Sequence, residues 1–240
     1  MKAMIFAAGE GTRLKPLTNN TPKALIKVNG VPMLELVIKN LINIGVNEII
    51  INVHYLANQV IDFLKSKNNF GIRIEISDET DELLDTGGGL KKASWFFNDN
   101  KPFILHNVDI ISNIDLTEML KFHNNNNALA TLAVRKRTSS RYLMFNNKQV
   151  LCGWENKKNS IKIISRSSKV FSFLAFSGIH IINPEVLNNI NENGRFSIIS
   201  TYFALSRSNL ILAYQHNKDY WFDIGSPKKL DIAEKYISSL

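Results

Sequence analysis

The sequence has little cysteine and no long apolar segment, and each absence excludes a class of protein. Cys152 is the single cysteine among 240 residues, so the chain contains no internal disulfide. No apolar run reaches the roughly 18 residues that a membrane-spanning helix needs. The apolar segment near the N-terminus stops at Gly9, too early for a secretory signal. These features predict a cytoplasmic protein without membrane contact, in which Cys152 is a core or sheet residue.

The charge of the chain is basic but dispersed. Lysine and arginine number 29 against 21 acidic residues, which gives a net charge of +8. Such a balance suits nucleic acid, an anionic membrane surface or acidic small molecules. The cations form only short clusters such as Arg135–Arg137, and no segment is basic enough for a polyanion-binding surface. Acidic small molecules are therefore the expected partners, and nucleic acid is not.

The pattern of apolar residues predicts an α/β fold in one domain. Strand-like runs at 48–53 and 72–76 alternate with helical periodicity at 34–42, at 60–64 and over a predicted helix at 89–96. This alternation implies right-handed crossovers, and hence a mostly parallel central sheet with helices on both faces. After residue 124 the pattern changes to short strands joined by tight turns, which predicts a small β-rich region. We expect a single domain with halves 1–124 and 125–240.

The first strand runs into a glycine loop that is typical of anion binding. The apolar run 4–8 precedes Gly9 and Gly11, and backbone N–H groups in such a loop approach an anion closely. The loop lacks the third small residue of a dinucleotide fingerprint, because Leu14 stands there, and no Gly-Lys-Ser/Thr closes it as in a Walker A loop. An ordinary turn is the alternative interpretation.

Cations follow this loop closely in the sequence. Arg13, Lys15 and Lys23 lie within fifteen residues of Gly9, and Pro16 and Pro22 stiffen the segment between them. A triphosphate requires this combination, since dipoles contact its oxygens and cations neutralise the charge that builds during phosphoryl transfer. The stretch from Lys2 to Leu25 is therefore a candidate triphosphate site.

These motifs together resemble a known enzyme family. The stretches GEGTRLKPLT (9–18) and TPKAL (21–25) are similar to the signature of the sugar-1-phosphate nucleotidylyltransferases, the pyrophosphorylases that make nucleotide sugars. The resemblance continues through TGGG (86–89), HNVD (106–109), FSGI (176–179) and WFDIGSP (221–227). It implies a Rossmann-like nucleotidyltransferase fold, Mg²⁺ as cofactor, and a reaction of a nucleoside triphosphate with a sugar 1-phosphate to give a nucleotide sugar and pyrophosphate.

The resemblance also implies roles for individual residues. It makes residues 1–124 the nucleotide-binding half, and it places sugar binding and a second metal ligand in residues 125–240. The expected catalytic residues are Arg13 and Lys23. The expected nucleotide-binding residues are Ala8, Gly9, Gly11, Thr12, Arg13, Lys23, Thr86, Gly87 and Gly88. The expected metal ligands are Asp109 and Asp223, and the expected sugar-binding residues are Asn107, Arg141, Phe176 and Gly178.

The residues themselves are consistent with the metal assignment. Asp109 follows the apolar strand 103–105, so it lies at the edge of the sheet where the Gly9 loop also emerges. A carboxylate beside a phosphate site needs a cation between them, and Mg²⁺ takes one or two protein carboxylates together with phosphate oxygens. The alternatives are a turn cap for Asp109 and a structural hydrogen-bond acceptor for Asp223.

The glycines of the TGGG motif precede a helix predicted to begin near Leu90. Three glycines let a backbone lie flat against a ring, and the resemblance implies that this loop reads the nucleotide base. A plain helix-entry turn is the alternative.

The sugar end departs from the broad family pattern. Many members carry Asn-Ala-Gly where this chain has 176–178, and a Glu-Lys-Pro segment is absent. The remaining pattern is similar to the N-acetylmuramate 1-phosphate uridylyltransferases of cell-wall recycling, which makes UTP and N-acetylmuramic acid 1-phosphate the expected substrates. Arg141 or Lys169 is expected to neutralise the sugar phosphate.

Several alternatives stay open at this point. They are a mannose-1-phosphate guanylyltransferase, a glucose-1-phosphate thymidylyltransferase or uridylyltransferase, and a nucleotide-sensing binding protein on the same fold. The expected assembly is a monomer or a small homo-oligomer.

Overall fold

The computed structural model describes all 240 residues as alternating strands and helices. The strands are β1 (Lys2–Phe6), β2 (Lys27–Val28), β3 (Val31–Pro32), β4 (Glu48–Val53), β5 (Arg73–Asp78), β6 (Phe103–Asn107), β7 (Ile110–Ser112), β8 (Ala130–Arg135), β9 (Arg141–Phe145), β10 (Leu151–Asn156), β11 (Ile161–Ile164), β12 (Ser172–Ile182), β13 (Ile211–Gln215) and β14 (Trp221–Asp223). The helices are α1 (Met33–Asn43), α2 (Ala57–Ser66), α3 (Asp85–Lys92), α4 (Leu116–Asn125), α5 (Glu185–Asn188), α6 (Ile198–Leu205) and α7 (Pro227–Ile237).

Ten of the strands form one sheet, and its order confirms the predicted α/β fold with parallel central strands. Strands β5, β4, β1 and β6 lie side by side and run parallel. Strand β12 adds to β6 in the antiparallel direction and also pairs with β8, which carries β13. Strands β9, β10 and β11 continue as an antiparallel extension from the first part of β12. This extension is the predicted β-rich region.

The central strands are buried on both faces because a separate core covers each face. In β1, Ala3 and Ile5 belong to a core of 31 buried residues that includes the apolar sides of α1 and α2. Met4 and Phe6 point the other way, into a core of 25 buried residues that includes Leu90 of α3. Side chains alternate across a strand, so a continuous apolar run is what a doubly covered parallel strand requires.

Two predicted elements differ from the observed ones. Helix α3 begins at Asp85 instead of 89, because Gly87 and Gly88 pack inside its first turn against residues 194–198. The predicted separate strands around 170–174 and 178–182 form one strand, β12, with an irregularity between Phe176 and His180 where Gly178 has a φ of 79°.

No helix of the structure combines the length and the apolar character that crossing a membrane requires.

Candidate functional site

A cavity of about 310 Å³ lies where the parallel strands β1, β4, β5 and β6 end. In an open α/β sheet this edge is the usual ligand site, because loops diverge there and leave a crevice. Several predicted site residues line it, namely Ala8, Gly9, Lys23, Thr86, Asn107 and Asp109. The remaining lining residues are Phe6, Asn52, Glu79, Leu83, Asp85, Val108 and Arg195.

The loop after β1 folds back on itself at Gly11. This residue has a φ of 68°, and a Cβ added there would lie 2.9 Å from Thr18 Cγ2 and 3.1 Å from Lys23 Cβ. The Thr18 hydroxyl donates a hydrogen bond to the Gly11 carbonyl at 2.9 Å. Both the backbone conformation and the lack of space therefore require glycine at position 11. The absence of a side chain there lets Lys23 pack closely against this loop.

Lys23 and Asp109 meet at the cavity. The Lys23 ammonium forms an ion pair with the Asp109 carboxylate, and the two side chains are 13% and 15% exposed. Their sequence separation is large, so the contact is a product of the fold, which brings the ends of β1 and β6 together.

The second predicted metal ligand lies on the chain segment next to Asp109. Strand β14 pairs with β7 so that Asp223 stands opposite Ile110, and the Ile224 N–H donates to the Asp109 carbonyl at 2.8 Å. The Asp223 carboxylate also accepts a hydrogen bond from the Lys229 ammonium at 2.7 Å.

Arg13 reaches the same place from the first loop. A Cβ added at Gly225 would lie 3.0 Å from Arg13 Nη2 and 3.0 Å from Asp223 Oδ1. The predicted catalytic arginine and the predicted second metal ligand therefore both border the space beside Gly225, although neither residue lines the cavity itself.

The donor set of this edge suits Mg²⁺ that also takes phosphate oxygens. No group of three or more His, Cys, Asp or Glu side chains comes together anywhere in the fold, which argues against an all-protein metal cage. Asp109 and Asp223 each have one carboxylate oxygen in an ion pair with a lysine. Two carboxylates completed by substrate phosphates are an arrangement that Mg²⁺ commonly uses.

A buried polar network that the sequence did not predict forms the floor of the cavity. Asn52 accepts a hydrogen bond from the Ala7 N–H at 2.8 Å and donates to Glu79 at 2.7 Å. Glu79 is fully buried and also accepts from the Leu84 N–H at 3.1 Å. Burial raises the pKa of Glu79, and the hydrogen bonds from Asn52 and Leu84 oppose that shift. The one available signal was Asn52, a polar residue in the otherwise apolar strand 49–53.

The glycines of the TGGG motif face protein. The Gly87 N–H donates to the Phe196 carbonyl at 2.9 Å, and a Cβ at Gly88 would lie 2.2 Å from the Gly194 carbonyl oxygen. Both glycines are buried, whereas Thr86, next to them in the chain, lines the cavity. A packing requirement thus accounts for these glycines, and nucleotide binding by Gly87 and Gly88 stays a prediction.

The predicted sugar end contains an unsatisfied acceptor. The Asn107 side-chain oxygen is buried and has no hydrogen-bond partner, a costly state that ligand binding can relieve. A Cβ at Gly178 would lie 3.0 Å from the Asn107 amide nitrogen, so these two predicted sugar-binding residues adjoin. Phe176 packs edge-on against His180, with ring centroids 4.5 Å apart.

Arg137, a cation that was not predicted as a site residue, contacts the predicted sugar-binding residue Phe176. Its guanidinium donates to the Phe176 carbonyl at 3.1 Å and lies 4.6 Å from the Trp221 ring. Burial lowers the pKa of Arg137, and the nearby Asp223 carboxylate raises it. Arg141 and Lys169 are exposed, on the antiparallel extension and on the loop before β12. The sequence showed Arg137 only as part of a charge cluster.

Comparisons with known proteins identify the family of the chain. The family model described as "Nucleotidyl transferase" matches residues 2–239. A mannose-1-phosphate guanyltransferase of Yarrowia lipolytica is 32% identical over 100% of this chain and 65% of its own length. A UTP–glucose-1-phosphate uridylyltransferase of Synechocystis is 29% identical over 94% of this chain and 60% of its own length. The chain thus spans less than two thirds of these curated relatives.

Solved structures share the fold at lower identity. HddC from Yersinia pseudotuberculosis superposes with a TM-score of 0.79 at 22% identity, covering 98% of this chain and 99% of that one. A UDP-glucose pyrophosphorylase from Acinetobacter baumanii has a TM-score of 0.80 at 16% identity, covering 98% of this chain and 92% of that one.

Proposed function

Because this chain belongs to the nucleotidyl transferase family, we propose that it transfers a nucleotidyl group from a nucleoside triphosphate to a sugar 1-phosphate. The observation that carries the proposal is the meeting of Lys23 and Asp109 at one sheet edge, beside the Gly9 loop. A glycine loop, a cation and a carboxylate with a neighbouring second carboxylate are the groups that phosphoryl transfer requires.

The reaction needs no general base. An oxygen of the sugar phosphate, already anionic, attacks the α-phosphorus of the triphosphate in line. A bond forms between that oxygen and the α-phosphorus. The bond between the α-phosphorus and the oxygen that bridges it to the β-phosphorus breaks, so pyrophosphate leaves with the electron pair. Catalysis then consists of positioning and charge neutralisation.

Each loop has a distinct part in this reaction. The backbone of Gly9 and Gly11 orients the triphosphate, while Lys23 neutralises phosphate charge and Arg13 meets the leaving pyrophosphate. Bound Mg²⁺ would supply further charge neutralisation at the phosphate oxygens, with Asp109 and Asp223 as its protein ligands. Arg137 is our candidate for the cation that holds the sugar phosphate.

The sequence and the relatives favour different substrates. The sequence predicts UTP with N-acetylmuramic acid 1-phosphate. The relatives carry the names of enzymes for mannose 1-phosphate with guanylyl transfer or glucose 1-phosphate with uridylyl transfer. These names favour GTP with mannose 1-phosphate, or UTP with glucose 1-phosphate, over the muramate pair.

A substrate matrix tests the proposal. UTP, GTP, dTTP, CTP and ATP are each combined with the 1-phosphates of mannose, glucose, N-acetylglucosamine and N-acetylmuramic acid, in the presence of Mg²⁺. We expect pyrophosphate and a nucleotide sugar to appear for at least one pair. If a nucleotide binds but no pair gives turnover, the result would instead support the nucleotide-sensing alternative.

A further inference from the structure

Arg195 is an unpaired cation at the nucleotide cavity. Its side chain is exposed, lines the cavity, and forms no hydrogen bond or ion pair with any protein group. Most surface arginines are merely solvated, so this position alone decides nothing. The surrounding contacts distinguish it.

The segment that carries Arg195 is fixed to the TGGG motif and to α3. The Phe196 N–H donates to the Leu84 carbonyl at 3.2 Å, and the Phe196 carbonyl accepts from Gly87 at 2.9 Å. The Ile198 N–H donates to the Thr86 hydroxyl at 3.1 Å. These bonds fix the chain directly after Arg195, at the end of the cavity formed by residues 83–86.

The chain before Arg195 is held by one lysine. The Lys91 ammonium donates to the Ile190 carbonyl at 3.1 Å, to the Glu192 carbonyl at 2.7 Å and to the Asn193 side chain at 2.9 Å. The backbone on both sides of Arg195 is therefore anchored, and a guanidinium on an anchored backbone loses less entropy when it binds a ligand.

A carboxylate with a free oxygen lies at the same end of the cavity. Asp85 Oδ1 accepts the Thr86 N–H at 2.6 Å, which leaves Oδ2 free. Both oxygens of Glu79 are already occupied, by Asn52 and Leu84. Asp109 is paired with Lys23 at the phosphate end. Asp85 and Arg195 thus line the same cavity and offer it one free acceptor and one set of free donors.

We propose that Arg195 and Asp85 select guanine as the base of the bound nucleotide. Guanine presents two acceptors, O6 and N7, which suit the donor fork of arginine. Its adjacent N1–H and N2–H₂ groups are donors that a carboxylate accepts.

The other bases fit this pair less well. Uracil and thymine present two carbonyls around a single N–H, so a carboxylate meets repulsion on both sides. Adenine presents an amino group at the position where guanine has O6, and this donor opposes the arginine. The inference rests on the proposed function for the presence of a nucleotide and adds the identity of its base.

Nucleotide binding measured by calorimetry without any sugar phosphate tests the inference separately from turnover. The variants are Arg195→Ala, Asp85→Asn and Lys91→Met, each checked for folding by circular dichroism. We expect the unmodified protein to bind GTP more tightly than UTP. Arg195→Ala is expected to weaken GTP binding about 10- to 100-fold, as for the loss of a bidentate base contact, and to change UTP binding much less. Asp85→Asn is expected to shift the preference toward UTP.

Lys91→Met is the matched control, because it removes an anchor of the same segment without removing a base contact. It is expected to weaken GTP binding by a smaller factor than Arg195→Ala does, because the guanidinium is kept and only its anchoring is loosened. An equal loss for both nucleotides in Arg195→Ala, or the absence of a GTP preference in the unmodified protein, would overturn the inference. A protein that selects GTP through these residues but performs no transfer would refute the proposed function and leave the inference standing.

Discussion

At the scale of single residues, the two proposed metal ligands already have cationic partners. Asp109 is paired with Lys23 inside the cavity, whereas Asp223 is paired with Lys229 from α7, which is half exposed. Lys23 also belongs to the proposed phosphate site. Lys229 has no such role, so its ammonium competes with a metal ion for the Asp223 oxygen.

Lys229→Met is therefore expected to lower the Mg²⁺ concentration that gives half-maximal activity. An exposed ion pair stabilises by up to about 1 kcal/mol, which corresponds to a change of about two- to five-fold. Titration of activity with Mg²⁺, and of the protein with Mn²⁺ by electron paramagnetic resonance, measures the effect. Lys228→Met removes an equal charge from the adjacent exposed position and serves as the control. Equal responses of the two variants would argue against Asp223 as a ligand.

Sequence motifs found the residues whose chemistry depends on local spacing. Lys23, Asn107 and Asp109 were predicted as site residues, and the fold places all of them on one cavity. Glu79 and Arg195 were not predicted, because an isolated acidic or basic residue in a polar stretch looks like any solvated charge. The position of Arg195 depends on contacts between segments more than a hundred residues apart, and that of Glu79 depends on Asn52, which is 27 residues away.

At the scale of elements, the start of α3 depends on two glycines that touch residues 194–198. A methyl group on Gly88 would meet the Gly194 carbonyl oxygen at 2.2 Å and Leu84 Cβ at 2.9 Å, and backbone there cannot move without breaking the bonds of Phe196. We expect Gly88→Ala to lower the free energy of unfolding by about 1–3 kcal/mol, as overpacking does, and to weaken nucleotide binding.

Urea unfolding measures the stability change, and Gly9→Ala provides the comparison. No atom lies within 4 Å of a Cβ at Gly9, so this variant is expected to change stability much less, although it adds a methyl group at the phosphate loop. A Gly88→Ala protein as stable as the unmodified one would show that the segment 194–198 is not packed against α3.

Elements with a strong local pattern were predicted, and elements defined by distant partners were not. Strand β4 has the predicted bounds because three successive isoleucines, Ile49 to Ile51, mark it as a buried strand. Strands β7 and β14 have three residues each and exist through their mutual pairing, which no local pattern encodes. Strand β11 was not predicted because all four of its residues are exposed at the sheet edge. It therefore has no alternation of buried and exposed side chains.

At the scale of the whole molecule, four buried histidines make the fold sensitive to acid. Burial lowers the pKa of His106, His123 and His216 to about 4, and that of His180 to about 3. In the unfolded chain these groups bind protons near pH 6.5. Their contribution to stability is therefore complete above pH 6.5 and is lost progressively as the pH falls toward 4.

The free energy of unfolding is expected to fall between pH 6.5 and 4, by up to about 1.4 kcal/mol per pH unit for each histidine. The raised pKa of Glu79 acts in the opposite direction and offsets a part of this slope. Urea unfolding at pH 7.5, 6 and 5 measures the dependence of the free energy of unfolding on pH. His123→Gln is expected to reduce this dependence by the contribution of one histidine. A stability that does not change over this range would contradict the burial of neutral histidines.

Pyrophosphate release that depends on a sugar 1-phosphate is the most direct measurement of nucleotidyl transfer at this site. With GTP, mannose 1-phosphate and Mg²⁺, we predict pyrophosphate and nucleotide sugar in equal amounts. We also predict that removal of metal by EDTA stops the reaction, and that Asp109→Asn slows it by about 100-fold or more. Release of inorganic phosphate, or of pyrophosphate at the same rate without any sugar 1-phosphate, would contradict nucleotidyl transfer.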